Sequence, residues 1–521
     1  MLITQKDTGM GRRSRTRPVS SCRSKQTLRA VILTLLPLMF AAAHAAGTPP
    51  VSHVGAHTPP NILFILIDDM GWRDWSGGGS HFYRTPHLDA LAAEGMVFDN
   101  AYASAAVCSP SRAALLTGQT PARLHLTDYI PGEGTPAVSR FRVPKFNEQL
   151  PDVRTLAQDL DAAGYRTAII GKWHLGGKGS LPTDHGFDWS LAAGPQGQPG
   201  AYFWPYGKPG SPGQVPDLAA RGGAPGEYLT DRLTDEAIKY IRDAATHHNG
   251  RPFFLELSHY AVHAPLQATK ADLAAVEDWT PADGQNNRTY AAMILAVDRS
   301  IGRLMSTLKE LHLDRDTIIV FTSDNGGLDL PGKNGLALAT SNAPMRAGKG
   351  FAYEGGLRVP LIFVEPGSIP AHSHNATPVY GVDFTPTMLQ LAGLKVPGDF
   401  DGRSLVPLLH DGSIKSREMG WNYPHYWDDQ LVTPWVVYRQ GNLKLIHFNE
   451  DDHYEMYDLS NDPTEQFNLV NARPHEAERM KQAMAAWLKA QHAQTPIPRQ
   501  AAASSGPQSA EPPSRTSQPR Q

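Results

Sequence analysis

The chain has 521 residues, 41% hydrophobic and 19% charged, with 47 Gly, 43 Pro, 2 Cys and a formal net charge of −3. This ordinary globular balance excludes collagen, coiled coil, a disordered scaffold and a generally basic nucleic-acid binder. Two cysteines cannot make a disulfide framework, while the length allows one large domain and a smaller one.

Residues 1–30 carry eight basic side chains (Lys6, Arg12, Arg13, Arg15, Arg17, Arg23, Lys25, Arg29) and one acid, Asp7. An apolar run over 31–43 and the small-residue site Ala43-His44-Ala45 come next. This order predicts a secretory signal peptide over 1–45, with an apolar run too short to span a bilayer. The protein is therefore expected to be exported, periplasmic or secreted, with no membrane segment after cleavage. Removing the segment takes the net charge from −3 to −10 and deletes Cys22, leaving Cys108 as one thiol in an oxidising compartment.

Four near-continuous apolar runs, 61–67, 165–170, 252–257 and 317–322, predict fully buried strands of a parallel sheet. A helix is expected between the first two, with Thr85 as N-cap, Pro86 at its first position, Leu88, Leu91 and Ala92 on one face, and Gly95 as the stop. Another is expected from Val153 through Leu156, Leu160 and Ala163 to Gly164. Strands alternating with helices give an α/β fold, in which ligands bind beyond the carboxyl ends of the strands.

The residues just past each strand are chemically pointed. Asp68-Asp69 ends the first, Gly171-Lys172-Trp173-His174 the second, His259 and His263 come after the third, and Asp324-Asn325-Gly326-Gly327 after the fourth. Each piece alone also reads as a turn or a cap. Together they offer hard oxygen ligands that suit Ca²⁺ or Mg²⁺ rather than zinc. In Cys108-Ser109-Pro110-Ser111-Arg112, Ser109 is expected as N-cap and Pro110 as first helical residue, which sets Cys108 just before a helix N-terminus. Helix N-termini favour anions, and an arginine fork matches tetrahedral oxyanions.

The C-x-P-S-R pentapeptide resembles the maturation signature of the type I sulfatases of the alkaline-phosphatase superfamily, in which this cysteine is oxidised to formylglycine. The similarity extends over 61–70, 85–100, 163–176, 322–327, 347–360 and 455–469, in the family's order. It implies an alkaline-phosphatase-like sandwich, a central mostly parallel sheet flanked by helices, with a smaller C-terminal α+β subdomain carrying an antiparallel sheet. It further implies one Ca²⁺ held by Asp68, Asp69, Asp324 and Asn325, with formylglycine at position 108 completing the shell. Arg112, Lys172, His174, His263 and Lys349 match the residues that hold sulfate and move protons, His263 as acid to the leaving oxygen and His174 as base for elimination. The implied activity is sulfate-ester hydrolysis on sulfated carbohydrates or aryl sulfates, with a formylglycine-generating enzyme as maturation partner. The alternatives are a phosphonate or phosphate ester hydrolase of the same superfamily and a non-catalytic sulfated-glycan binder.

The expected organisation is signal peptide 1–45, linker 46–59, catalytic domain 60–410, C-terminal subdomain 411–494 and disordered tail 495–521. The Gly/Pro-rich segment 195–226, with Tyr202, Phe203, Trp204 and Tyr206, reads as a surface insertion near the site. The cluster Trp421, Tyr423, His425, Tyr426 and Trp427 reads as core of the smaller subdomain, with sugar stacking as the alternative. Antiparallel strands are expected around 435–438 and 443–448, and a closing helix over 474–488.

Overall fold

The computed structural model describes residues 59–247, 250–330, 338–428 and 431–499. The expected signal peptide, nearly all of the linker and residues 500–521 lie outside the described residues.

Strand β1 (Asn61–Ile67) shows why its sequence is apolar throughout. Leu63, Ile65 and Ile67 enter one core cluster, and Ile62, Phe64 and Leu66 enter another on the opposite face. The other strands of this sheet are β2 (Met96–Phe98), β3 (Arg166–Gly171), β4 (Trp189–Leu191), β5 (Phe253–Ser258), β6 (Thr317–Ser323), β7 (Leu361–Val364) and β8 (Ser373–Asn375). The spatial order is β8-β2-β7-β6-β1-β5-β3-β4. Strands β6, β1, β5, β3 and β4 pair in parallel, and β7 runs antiparallel to both β6 and β2. The fold is thus a large mixed sheet with a parallel centre.

Helices α1 (Pro86–Ala93), α4 (Leu229–His247) and α5 (Arg288–Glu310) pack on one face, and α2 (Cys108–Thr117) and α3 (Leu156–Ala162) on the other. Each fully buried Leu or Ile here contributes ~1.5–3 kcal/mol relative to exposure. Helix α1 starts at Pro86 and buries Leu88, Leu91 and Ala92 as expected, but Thr85 does not cap it. Its Oγ1 accepts from the Ser76 amide instead, at 2.9 Å. Helix α3 begins at Leu156 rather than Val153, because Thr155 and Gln158 form a reciprocal capping box.

A second sheet, antiparallel throughout, consists of β9 (Glu418–Tyr423), β10 (Trp435–Gln440), β11 (Leu443–Phe448) and β12 (His453–Asp458), in that order. Its one face packs on helix α6 (Pro474–Ala490) through Val436, Tyr438, Leu445, Met456, Met480 and Met484. Its other face, with Trp421, Tyr423, Trp435, Val437 and Ile446, packs against Tyr102, Tyr353 and Leu357 of the larger part. Beyond α6, Ile497–Pro498 pairs with Phe141–Arg142, so ordered chain continues a few residues past the expected start of the tail.

The aromatic cluster divides. Trp421, Tyr423, His425 and Tyr426 are buried, whereas Trp427 is half-buried. The segment 195–226 departs further from a surface insertion: Tyr202 and Tyr206 are fully buried in the core beside α4, while its Gly- and Pro-rich turns remain outside. Apolar area outweighs the turn-forming composition at those two rings.

His425 and His259 are buried neutral imidazoles, each lowered to about 3 by burial. Below the ordinary histidine value of 6.5, the unfolded chain takes up a proton that these native sites refuse, so each site costs stability as pH falls from 6.5 toward 3. Buried carboxylates raised to about 7, such as Asp128 and Glu256, act in the opposite direction. A paired comparison isolates the imidazole. Between pH 7 and 5 the unfolding free energy from urea melts is expected to change less favourably for the wild type than for His425→Gln, by up to ~1.4 kcal/mol per pH unit.

Candidate active site

The site is assembled by strand register. In the β1–β6 pair, Ile67 lies opposite Ser323, so the chain leaves both strands side by side with Asp68-Asp69 and Asp324-Asn325. The Asp324 amide donates to the Ile67 carbonyl at 3.1 Å, and the Asp69 amide to Asp324 Oδ1 at 3.2 Å. Asp69 adopts a left-handed φ of 62°, which its hydrogen bond to Asp324 helps to hold. On the other side, Gly171 lies opposite Ser258 in the β3–β5 pair, and the Lys172 amide donates to the Ser258 carbonyl at 2.7 Å. This brings Lys172 beneath Asp68.

Helix α2 supplies Cys108 and Arg112. The helix starts at Cys108 itself, with Val107 as an extended N-cap that offers no side-chain hydrogen bond. The expected cap, Ser109, instead accepts from the Ile130 amide at 3.1 Å. The serine hydroxyl therefore fixes the neighbouring loop rather than the helix end.

Three carboxylates and three cations are matched. Lys172 Nζ donates to Asp68 Oδ2 at 2.7 Å. Lys349 Nζ reaches both oxygens of Asp69, at 2.7 and 2.8 Å. Arg112 Nε donates to Asp324 Oδ2 at 2.8 Å, and its Nη1 to the Lys172 carbonyl at 3.0 Å and to Ser258 Oγ at 2.6 Å. All six side chains are buried. Burial pushes Asp68 up to about 7 despite Lys172. Asp69 is held well below the usual carboxylate range: burial opposes this, but Lys349 and His263 prevail. Asp324 is lowered too: burial opposes this most strongly, but Arg112, Lys172 and Lys349 together prevail.

Cys108 sits above this set. Its Sγ is 3.6 Å from Asp68 Oδ1 and accepts from Lys349 Nζ at 3.4 Å. Burial pushes the thiol up to about 12, so the unmodified side chain is a neutral thiol at pH 7 and a weak nucleophile.

The two expected histidines face the same pocket. His174 Nε2 donates to the Ile130 carbonyl at 2.7 Å, which leaves Nδ1 with its lone pair, buried and unpartnered. Gly197 closes over this ring: a Cβ there would stand 2.5 Å from His174 Cε1. His263 Nδ1 donates to the Ala264 carbonyl at 2.9 Å, and its Nε2 lies 3.6 Å from Asp69 Oδ2. Tyr202, from the segment expected on the surface, donates to the carbonyls of Tyr260 and His263 and so fixes that loop. His259 is not in the pocket but contacts Ser300 in the core at 3.1 Å.

A metal is accommodated by this donor set. Ligand atoms of Asp68, Asp69, Cys108 and His263 all lie within 4.8 Å of one another. Asn325 donates from Nδ2 to Asp69 Oδ1 at 2.8 Å, while its Oδ1 is buried without a hydrogen-bond partner. Oxygen atoms from Asp68, Asp69, Asp324 and Asn325 suit a hard cation. The cavity above, of about 350 Å³, is lined by Cys108, His174, His263 and Lys349 below and by Tyr129, Ile130, Pro131, Gly197, Gln198 and Trp427 at the sides.

Tyr129, Ile130, Pro131 and Ser258 carried no sequence signal for the site, since each arrives through tertiary contact, whereas Gly197 and Gln198 belong to the segment 195–226 that was expected near it. Trp427 was legible only as the last member of an aromatic cluster. Because the charges are matched pairwise, removing one partner should cost more than removing both. In chelator-treated protein, Lys172→Met should lose ~3 kcal/mol of unfolding free energy. Adding Asp68→Asn should recover at least ~1 kcal/mol of that, read from urea midpoints.

Residues 60–394 match the sulfatase family, and residues 347–494 match the family described as N-sulphoglucosamine sulphohydrolase, C-terminal. The chain is 35% identical over 462 residues to N-acetylgalactosamine-6-sulfatase of Sus scrofa, covering 80% of this chain and 82% of the relative. Ps i-CgsB, solved in complex with k-i-k-neocarrahexaose, is similar with a TM-score of 0.68 at 29% identity, over 82% of this chain and 93% of that one. A protein solved with its substrate D-glucosamine-2-N,6-O-disulfate gives a TM-score of 0.64 at 26% identity, over 83% of this chain and 98% of that one. On this fold and with these relatives, the chain belongs to the sulfatases of the alkaline-phosphatase superfamily and is a sulfuric ester hydrolase.

Proposed function

We propose that the protein is an exported hydrolase of sulfated carbohydrates, with Cys108 matured to formylglycine by a partner enzyme, Ca²⁺ at the strand ends and a mature chain that begins after Ala45. The observation that carries this reading is the placement of Cys108. A thiol raised to about 12 is held between Lys349 and Asp68 on the floor of a pocket whose other groups serve an anion. As a hydrated aldehyde, residue 108 would supply two hydroxyls, one to attack sulfur and one whose deprotonation expels sulfate. Asp68, Asp69, Asp324 and Asn325 would hold Ca²⁺, which when bound adds positive charge beside the sulfate and the oxygen at position 108.

The remaining steps fall to the chain's own groups. Arg112 is oriented by Asp324, Ser258 and the Lys172 carbonyl, and with Lys172 and Lys349 it offsets charge that grows on the sulfate oxygens. The free lone pair on His174 Nδ1 suits a base for the elimination step. His263 is lowered to about 4, first by burial and then by Lys349, so it is neutral in the ligand-free pocket at pH 7. A bound sulfate ester opposes that shift and favours protonation, which equips Nε2 to protonate the leaving oxygen. The relatives named for sulfated sugars support carbohydrate over simple aryl sulfates as the substrate class.

Protein from a host with a formylglycine-generating enzyme tests the reading. Mass spectrometry is expected to find the aldehyde or its hydrate in the residue 108 peptide, and release of sulfate is expected to exceed that of phosphate from matched aryl esters. Cys108→Ala should lower kcat by at least ~10³-fold. Full retention of turnover without the aldehyde would sink the mechanism. His263→Gln should lose ~10²-fold or more on a sugar sulfate and much less on 4-nitrophenyl sulfate, whose phenoxide departs without a proton. Equal losses on both would remove His263 from the acid role.

A further inference from the structure

We infer that the leaving-group wall of this pocket is built for a single uncharged ring, so that a neutral sugar bearing one sulfate is preferred over a ring carrying a second sulfate or a carboxylate. This rests on the sulfate-ester reading above and deepens it.

The floor and the wall differ in kind. The floor is ionic and already matched: Lys349, which lines the cavity, faces Asp69, while Lys172 and Arg112, which do not line it, face Asp68 and Asp324. The wall is formed by Tyr129, Ile130, Pro131, Gln198 and Trp427, two aromatic rings, two apolar side chains and one amide. None of the five is ionised at neutral pH. The charges that bear on Tyr129 are Glu133 and Asp128 on its own loop, both acids, and Lys349 from the floor. A second anionic group on the substrate would therefore leave water beside apolar surface and nearby acids, and among the described residues that line the cavity the one Lys or Arg is Lys349, which is already paired with Asp69. Burying such an unpaired charge is strongly unfavourable.

The same wall is suited to a sugar face. Trp427 is fixed at its base by paired backbone hydrogen bonds with Val432, at 3.0 and 3.1 Å. Its ring lies so close over Gly350 that a Cβ there would stand 2.3 Å from Cε3, and Gly350 also has a φ of 87°. Glycine is thus required immediately after Lys349 for the indole to sit beside the reacting floor. A fixed, half-exposed indole offers an apolar plane to the C–H face of a pyranose, and exposed Gln198 offers both a donor and an acceptor to ring substituents. The cavity of about 350 Å³ lies near the small end of ligand pockets, suited to one ring rather than a run of them.

The test uses matured full-length protein and three probes: 4-nitrophenyl sulfate, galactose 6-sulfate and glucosamine 2-N,6-O-disulfate. Wild-type kcat/KM is expected to be at least about tenfold higher on galactose 6-sulfate than on the disulfate. Gln198→Arg, which places a cation on the wall, should shift that ratio toward the disulfate by about tenfold, a gain that misfolding cannot imitate. Trp427→Ala should lower kcat/KM on galactose 6-sulfate by about tenfold, chiefly through KM, with Trp427→Phe restoring most of it. Equal or better wild-type turnover of the disulfate, or an unchanged Trp427→Ala, would overturn the inference while leaving the sulfatase reading intact. No sulfate released by matured protein from any of the three probes would overturn both.

Discussion

Three carboxylates buried side by side at the ends of two neighbouring strands would repel one another and resist ionisation if left alone. The architecture around them is a means of preventing that. Lys172 arrives from the next parallel strand but one, Arg112 from the helix above, and Lys349 from a loop far along the chain. The resulting set is close to neutral, yet unevenly so: Asp68 is raised to about 7 whereas Asp69 and Asp324 are lowered. A divalent cation added to a balanced set leaves an excess positive charge, which is what a tetrahedral anion needs. The cost of burying the carboxylates thus becomes the basis of binding.

Lys349 is the partner that depends most on distant structure, and the C-terminal sheet holds it. Trp435 of β10 donates its indole N–H to the Gly350 carbonyl at 3.0 Å, directly beside the lysine. A few residues on, the Glu354 amide donates to Glu465 at 2.7 Å, and Lys444 of β11 bridges both glutamates at 3.0 and 2.7 Å. Tyr102 donates to the remaining Glu354 oxygen at 2.6 Å, and Arg439 of β10 contacts the Tyr102 hydroxyl. Two buried glutamates share these cations, so loss of Lys444 or Arg439 would leave charge uncompensated beneath the loop that carries Lys349. The small sheet is therefore part of the machinery that sets the position of a cation on the reacting floor.

How far the sequence revealed this depends on the physics of each element. The central strands stood out because both of their faces are buried, which leaves unbroken apolar runs such as 61–67. The peripheral strands β2, β4 and β8 have three residues each and no such signature. The acidic strand ends, Lys172, His174, His263, Cys108 and Arg112 were legible because neighbouring residues are carried together by a strand terminus or a helix turn, whereas Lys349, on a distant loop, was legible only through the family resemblance. The exact start of α2 was not, because Ser109 and Pro110 form a familiar cap pattern that tertiary contact with Ile130 overrides. The wall was least legible: Tyr129, Gln198 and Trp427 lie on three separate loops, and only packing brings them together.

This division between floor and wall has a functional logic. Asp68, Asp69, Asp324, Asn325 and Lys172 are set by strand register, while Cys108 and Arg112 are set by helix α2 and Lys349 by the C-terminal sheet, so each is tied to the packed framework. Groups that would touch the leaving ring stand on loops, where substitution disturbs less of the fold. The wider charge distribution acts in the same sense as the uncharged wall. Outside residues 1–45 the chain carries a net charge of −10, so a polyanion approaching the surface meets more repulsion than a ring with one sulfate. At physiological ionic strength that field decays over about 8 Å. A monosulfated ring therefore crosses a modest barrier before the local cations act on it, whereas a multiply charged ring meets the barrier outside and an unpaired charge within.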